Sequence, residues 1–167
     1  LVFGDDGTGS QYIYASTYQT GTTIYKIDPS DMSESATFDT ANAGSLALGQ
    51  NGSLYAGTGN TSNDATIYKI DPSDMTSSGS IDTSSDRIEA LTYGNDGYLY
   101  AGDNRNTLYS IDPTDMTVMD TVGVGNYTYS LSTVTGSDVI GGIGSTVTKL
   151  THGSLQIRAN NRWVEQL

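Results

Sequence analysis

A chain of 167 residues is long enough for one compact domain with its own core, and the absence of cysteine excludes disulfides, thiolate metal sites and thiol nucleophiles together. Its net charge of -12 comes from 19 acidic against 7 basic side chains, with Lys26, Lys69 and Lys149 the only lysines, so the surface repels nucleic acid and anionic lipid. No apolar run approaches the roughly 18 residues of a spanning helix, which argues against membrane insertion.

The chain opens on Leu1-Val2-Phe3 with neither an initiator methionine nor a signal peptide, as a processed or partial product would. In order come LVFGDDG from Leu1, YIYAS from Tyr12 and TIYKIDPSDM from Thr23, each a short apolar run bounded by turn residues and without helical periodicity. A weaker, polar strand is expected over Ser35 to Phe38, as at a solvated edge. The set then recurs: LALGQNG from Leu46, SLYAG from Ser53, TIYKIDPSDM from Thr66 and a strand over Ser78 to Ile81. It recurs again as LTYGNDG from Leu91, YLYAG from Tyr98, TLYSIDPTDM from Thr107 and Val118 to Val122.

Asp6-Gly7, Asn51-Gly52 and Asp96-Gly97 join first to second strands, pairs that accept the positive φ of tight hairpins. Asp28-Pro29, Asp71-Pro72 and Asp112-Pro113 turn the chain into the fourth strand. Four antiparallel strands in a unit of about 45 residues, repeated without helices, make a β-propeller blade. The spacing predicts an all-β chain with blades over about 1–45, 46–90, 91–130 and 131–152, a ring that closes alone or forms part of a larger one. The fourth unit drifts, with VIGG at Val139 and TVTKLTHG at Thr146, as a terminal repeat does. From 153 to 167 the chain turns basic, and Leu155 to Ala159 and Arg162 to Leu167 predict a closing or anchoring hairpin about Asn160-Asn161.

From Leu1 to about Leu150, the LYAG and TIYKIDP strings resemble the repeats of YVTN-type and quinoprotein-like β-propellers, though without the tryptophan-docking residues of the quinoprotein repeat or the Trp-Asp dipeptide of another propeller family. The ending IRANNRWVEQL is similar to those of some tail and surface proteins of tailed viruses, which implies a virion setting.

Chemistry is sparse in this pattern. His152, the single histidine, sits in a turn without a carboxylate pair or nucleophile, so no catalytic residue and no cofactor are expected. Asp5, Asp6, Asp96 and Asp103 lack the spacing of a calcium loop and read as turn formers, so no metal site is expected. Tyr14, Tyr55 and Tyr100, with Tyr25, Tyr68 and Tyr109, read as fillers between blades, and Met32, Met75 and Met116 as apolar plugs under the Asp-Pro turns. The loops between second and third strands vary between copies, which makes Tyr18, Asn60, Asp64, Asn104 and Arg105 candidate binding residues. Arg158, Arg162 and Trp163 are candidate assembly contacts.

These observations point to a non-enzymatic structural or attachment propeller, extracellular or on a virion surface, in an oligomeric assembly with other structural proteins or with a host receptor or glycan. A halophilic archaeal host would account for an acidic, lysine-poor surface, as would an ordinary acidic extracellular β protein. Alternatives are a secreted or cell-surface propeller binding glycan or protein, and a fragment of a propeller lyase or quinoprotein.

Overall fold

The computed structural model of the protein describes residues 1–17, 23–40, 42–59, 64–133, 138–143, 146–151, 157–159 and 162–164. Among these residues there are four antiparallel sheets and no helix. The first sheet holds β1 (Val2–Asp5), β2 (Gln11–Ser16), β3 (Thr23–Ile27) and β4 (Glu34–Asp39) in chain order. β5 (Ser45–Leu48), β6 (Leu54–Gly57), β7 (Thr66–Asp71) and β8 (Thr76–Asp82) form the second in the same order. The third is built of β9 (Ile88–Tyr93), β10 (Leu99–Asp103), β11 (Thr107–Asp112) and β12 (Thr117–Gly123). β13 (Thr128–Thr133), β14 (Asp138–Ile143), β15 (Thr146–Thr151), β16 (Ile157–Ala159) and β17 (Arg162–Val164) make the fourth, so the C-terminal hairpin continues that sheet through Lys149 paired with Arg158.

First strands pack side by side, β1 on β5, β5 on β9 and β9 on β13, and so form the inner edge of the array. The fourth strands β4, β8 and β12 lie outermost and are mostly exposed. They run longer than the polar cores read from sequence, because the ladder extends back to the Asp-Pro turn. The first strands of the third and fourth blades begin earlier than expected, at Ile88 and Thr128, since the linking segments add residues to the ladder.

Between blades lie the cores. One unites Tyr14 and Ile24 of the first blade with Leu46, Leu54, Ile70 and Met75 of the second. The next unites Tyr55 and Ile67 of the second with Leu91, Leu99, Ile111 and Met116 of the third, and Tyr100, Leu108 and Val122 then meet Val139 of the fourth. The tyrosines of the second strands are therefore fillers between blades, fully buried at Tyr14, Tyr55 and Tyr100. Met75 and Met116 are the plugs the sequence suggests, at 3% and 5% exposure, but Met32 is 66% exposed, because no blade among those described covers its side of the first sheet.

Two local geometries differ from the sequence reading. In the first hairpins the left-handed conformation falls on glycine alone, Gly7, Gly52 and Gly97 at φ 85, 79 and 89. Gly52 donates to the carbonyl of Gly49, a turn closed by a left-handed glycine in place of a two-residue loop. After each Asp-Pro the left-handed residue is methionine, at φ 60, 57 and 59 for Met32, Met75 and Met116.

The glycine that ends the LYAG string of the second and of the third blade carries a different constraint. A Cβ on Gly57 would run into Ile88 and Ser45, and one on Gly102 into Thr128, because the next blade's first strand passes against the glycine backbone. Gly102→Val is therefore expected to lower stability by about 1–3 kcal/mol through overpacking, checked by denaturant unfolding; an unchanged midpoint would contradict this packing.

Candidate functional site

Because the strands alternate in direction, each blade places its first hairpin and its Asp-Pro turn at one end of the array. The second-to-third loops and the links between blades lie at the other.

At the hairpin end a cleft of about 360 Å³ opens between the first two blades, lined by Asp6, Thr8, Asn51, Asp71, Pro72 and Ser73 among others. Beneath it sits the one ion pair among the described residues whose two side chains are each only 5% exposed, Lys26 Nζ to Asp6 Oδ2 at 2.8 Å. Lys26 also donates to the Pro72 carbonyl of the next blade at 2.8 Å and lies 4.1 Å from the centroid of the Tyr12 ring. The hydrogen bonds from Lys26 and Thr8 hold the Asp6 carboxyl well below the usual carboxylate range, outweighing the opposing cost of burial. Lys69 repeats the reach one blade on, donating to the Pro113 carbonyl at 2.7 Å.

The same three positions are solved differently in each blade. Asn51 replaces Asp6 and donates to Tyr55 Oη at 2.7 Å, while Asp96 accepts from Tyr100 Oη at 2.6 Å. Committed to Lys26, Asp6 leaves the buried Tyr14 hydroxyl without a hydrogen bond. Burial pushes the Tyr14 and Tyr100 phenols far up, so both stay neutral.

The aspartates weighed as calcium ligands serve their own turns. Asp5 Oδ1 accepts from the amides of Gly7 and Gly9, and Asp103 from those of Arg105 and Thr107 and from Tyr109 Oη. Burial and the Asp103 charge push Tyr109 up to about 12. Asp28, Asp71 and Asp112 each accept the amide two residues on, as Asx turns do.

At the opposite end the structure brings together two of the candidate binding residues. Asn104 Oδ1 accepts the Arg87 amide at 3.2 Å, and its own amide donates to the Arg87 carbonyl. Arg105 reaches the Ser84 carbonyl at 2.8 Å and Asp86 at 2.5 Å. Both therefore tie the third blade's loop to the link from the second. Asp64 is exposed beside the buried Ala65. Tyr18, Asn60 and His152 lie outside the described residues. Arg158, Arg162 and Trp163 lie on β16 and β17, where Arg158 pairs with Trp163 across the hairpin.

The sequence reading passed over Tyr127 and Tyr129. They are 45% and 60% exposed, with ring centroids 6.1 Å apart in an edge-to-face pair, where the third blade passes into the fourth. Two tyrosines spaced by one residue at the mouth of a strand were the available signal.

The family described as "Repeat of unknown function (DUF6923)" matches residues 8–162. No curated protein matches the chain. Solved structures it resembles include "Crystal structure of RRP9 WD40 repeats" (TM-score 0.78, 12% identity, 94% of this chain and 49% of that one). Others are "Structure of Dos1 propeller" (0.71, 17%, 98% and 45%) and "Crystal Structure of Mitotic Checkpoint Complex" (0.74, 17%, 89% and 48%). The chain spans about half the length of each, and at such identity the likeness establishes the β-propeller fold, here without a Trp-Asp dipeptide.

Two outcomes test the Lys26 site. Lys26→Met strands a buried carboxylate and is expected to cost on the order of 3 kcal/mol, limited by water entering from the cleft; Lys69→Met, which removes a hydrogen bond to a carbonyl and leaves no buried carboxylate behind, costs about 1 kcal/mol. A depressed Asp6 pKa also means its stabilisation is complete above the unfolded value of 3.8 and is lost as pH falls through the folded value. Wild type should therefore lose stability more steeply than Asp6→Asn between about pH 5 and pH 2; parallel profiles would contradict the assignment.

Proposed function

Given that the chain belongs to the DUF6923 repeat family, we propose that it is a non-enzymatic structural or attachment propeller that engages a partner at an extracellular surface. The observation that carries the reading is the exposed Tyr127 and Tyr129 pair, because tyrosine offers a large amphipathic contact at low entropic cost. The carboxylates just described are spent on turns and on the Lys26 clamp, which supports a scaffold role over an acid-base one. A propeller among the chains of a mitotic checkpoint complex lends the scaffold reading a parallel. The partner is a protein or a glycan, and its site is the connector end.

A virion surface or tail setting in a halophilic archaeal host is the finer form of this proposal. Its support is the ending IRANNRWVEQL and the net charge of -12. In that setting β16 and β17 offer the sheet edge on which a neighbouring structural protein adds strands.

Crosslinking mass spectrometry within the native assembly, with a glycan array as the second arm, tests the reading. Contacts at Tyr127 and Tyr129 that vanish in the Tyr127→Ser, Tyr129→Ser double variant are expected. Contacts confined to other surfaces, or a hydrolase, lyase or dehydrogenase activity lost in His152→Ala, would overturn it. For the halophilic setting, the melting temperature should rise with potassium chloride as the Debye length shortens to about 3 Å at 1 M; a flat or falling trend contradicts it.

A further inference from the structure

We propose that the uncovered face of the first blade is a docking surface for another blade of this same repeat. That blade carries a lysine at the position of Lys26 and Lys69 and a small residue at that of Ala36 and Gly79. The inference is independent of the function proposed above.

Two interfaces within the chain define the fit. At the first, Lys26 caps the Pro72 carbonyl, and Met75 packs in a cluster with Ala36, the residue paired with Lys26 on the outer strand. At the second, Lys69 caps the Pro113 carbonyl, and Met116 lies against Gly79, the residue paired with Lys69, where a Cβ would come within 3.3 Å of its side chain.

The first blade carries the receiving half complete. Residues 23–32 and 66–75 are identical in sequence, and Met32 has the same left-handed φ and the same bond to the Asp28 carbonyl, 2.8 Å, that Met75 makes to Asp71. Leu1 and Phe3 stand where Leu46 and Leu48 stand one repeat later. Yet Leu1, Phe3 and Met32 are 82%, 58% and 66% exposed, and Pro29 is exposed where Pro72 and Pro113 are buried. The left-handed conformation is strained for a methionine, a cost that burial offsets in the second and third blades and nothing described offsets in the first.

The third interface shows that the presenting and receiving residues change together. Ser110 and Asp120 occupy the lysine and small-residue positions of the third blade, and the fourth blade has Leu150-Thr151-His152 in place of Ile-Asp-Pro. The fourth blade is not the occupant either: its Lys149 takes the lysine position opposite Ile140, but the residue paired with it is Arg158, where Ala36 and Gly79 stand. The presenting faces of the first and second blades are already covered. What fits is a further blade of their type, whose lysine meets the Pro29 carbonyl between Asp28 and Asp31, and a chain that spans about half the length of the solved structures it resembles leaves room for it.

The test places a copy of residues 46–90 directly before Leu1, which keeps the 45-residue phase of Leu1, Leu46 and Leu91. Hydrogen peroxide is the probe, with Met116 as the buried reference and Met119, 54% exposed, as the open one. Met32 is expected to oxidise at the rate of Met119 in the original chain and at the rate of Met116 in the extended one. Lys69→Ser with Gly79→Arg in the added copy alone should restore fast oxidation. The proposal fails if Met32 stays fast in the extended chain while Met116 stays slow, or if the altered copy protects it equally. It fails too if the original chain already shields Met32 by self-association.

Discussion

A four-stranded sheet with apolar side chains on both faces cannot bury either face alone, and every other feature of this protein follows from that. Tyr14 and Ile24 look one way and Ile13 and Ile27 the other, as the strand period of two requires. Burying one such side chain contributes about 1.5–3 kcal/mol, and only another sheet laid against the face can collect it. Stacking is thus the fold, and the inner strands, the LYAG glycines and the Asp-Pro turns are means of bringing successive sheets close enough. The lysine clamp adds direction. Apolar faces slide, whereas a charged nitrogen capping one carbonyl of the next blade fixes register at the rim.

The three close copies show how much a repeat varies around that constraint. The position held by Asp6, Asn51 and Asp96 takes its partner from the third strand in one blade and from the second in the others. Where lysine and acid meet, a buried tyrosine hydroxyl goes unbonded; where lysine meets an amide position, it reaches the neighbouring blade alone. Ser110 gives up the clamp altogether, and the sequence of the blade that follows lacks the Asp-Pro pair whose carbonyl the clamp would have capped. Drift in the fourth unit is therefore coupled to drift at its interface.

Much of this was legible in the sequence. Strand positions, antiparallel pairing and blade count follow from the recurrence of LYAG and TIYKIDP, because local patterns dictate local ladders. The burial of Tyr55 and Met75 follows from their recurrence at strand positions too large to leave empty. The exposure of Met32 did not follow, since it depends on what lies beside the first sheet and not on its own sequence. Nor did the left-handed methionines, a conformation ordinarily left to glycine or asparagine. Asn104 and Arg105 looked free because they vary between copies, yet they bind a link that varies with them. Tyr127 and Tyr129 escaped notice because they precede Leu131 and so lie outside the recurring strings.

The claim that stacking, and not the blade's own ladder, holds each sheet can be measured on two stretches of identical sequence. Residues 23–32 and 66–75 share their intrinsic amide exchange rates, their strand pairing and their turn, and differ in having one covered face or two. Native-state hydrogen exchange should show β7 opening only with global unfolding and β3 exchanging well before it. Equal protection in the two strands would contradict the account.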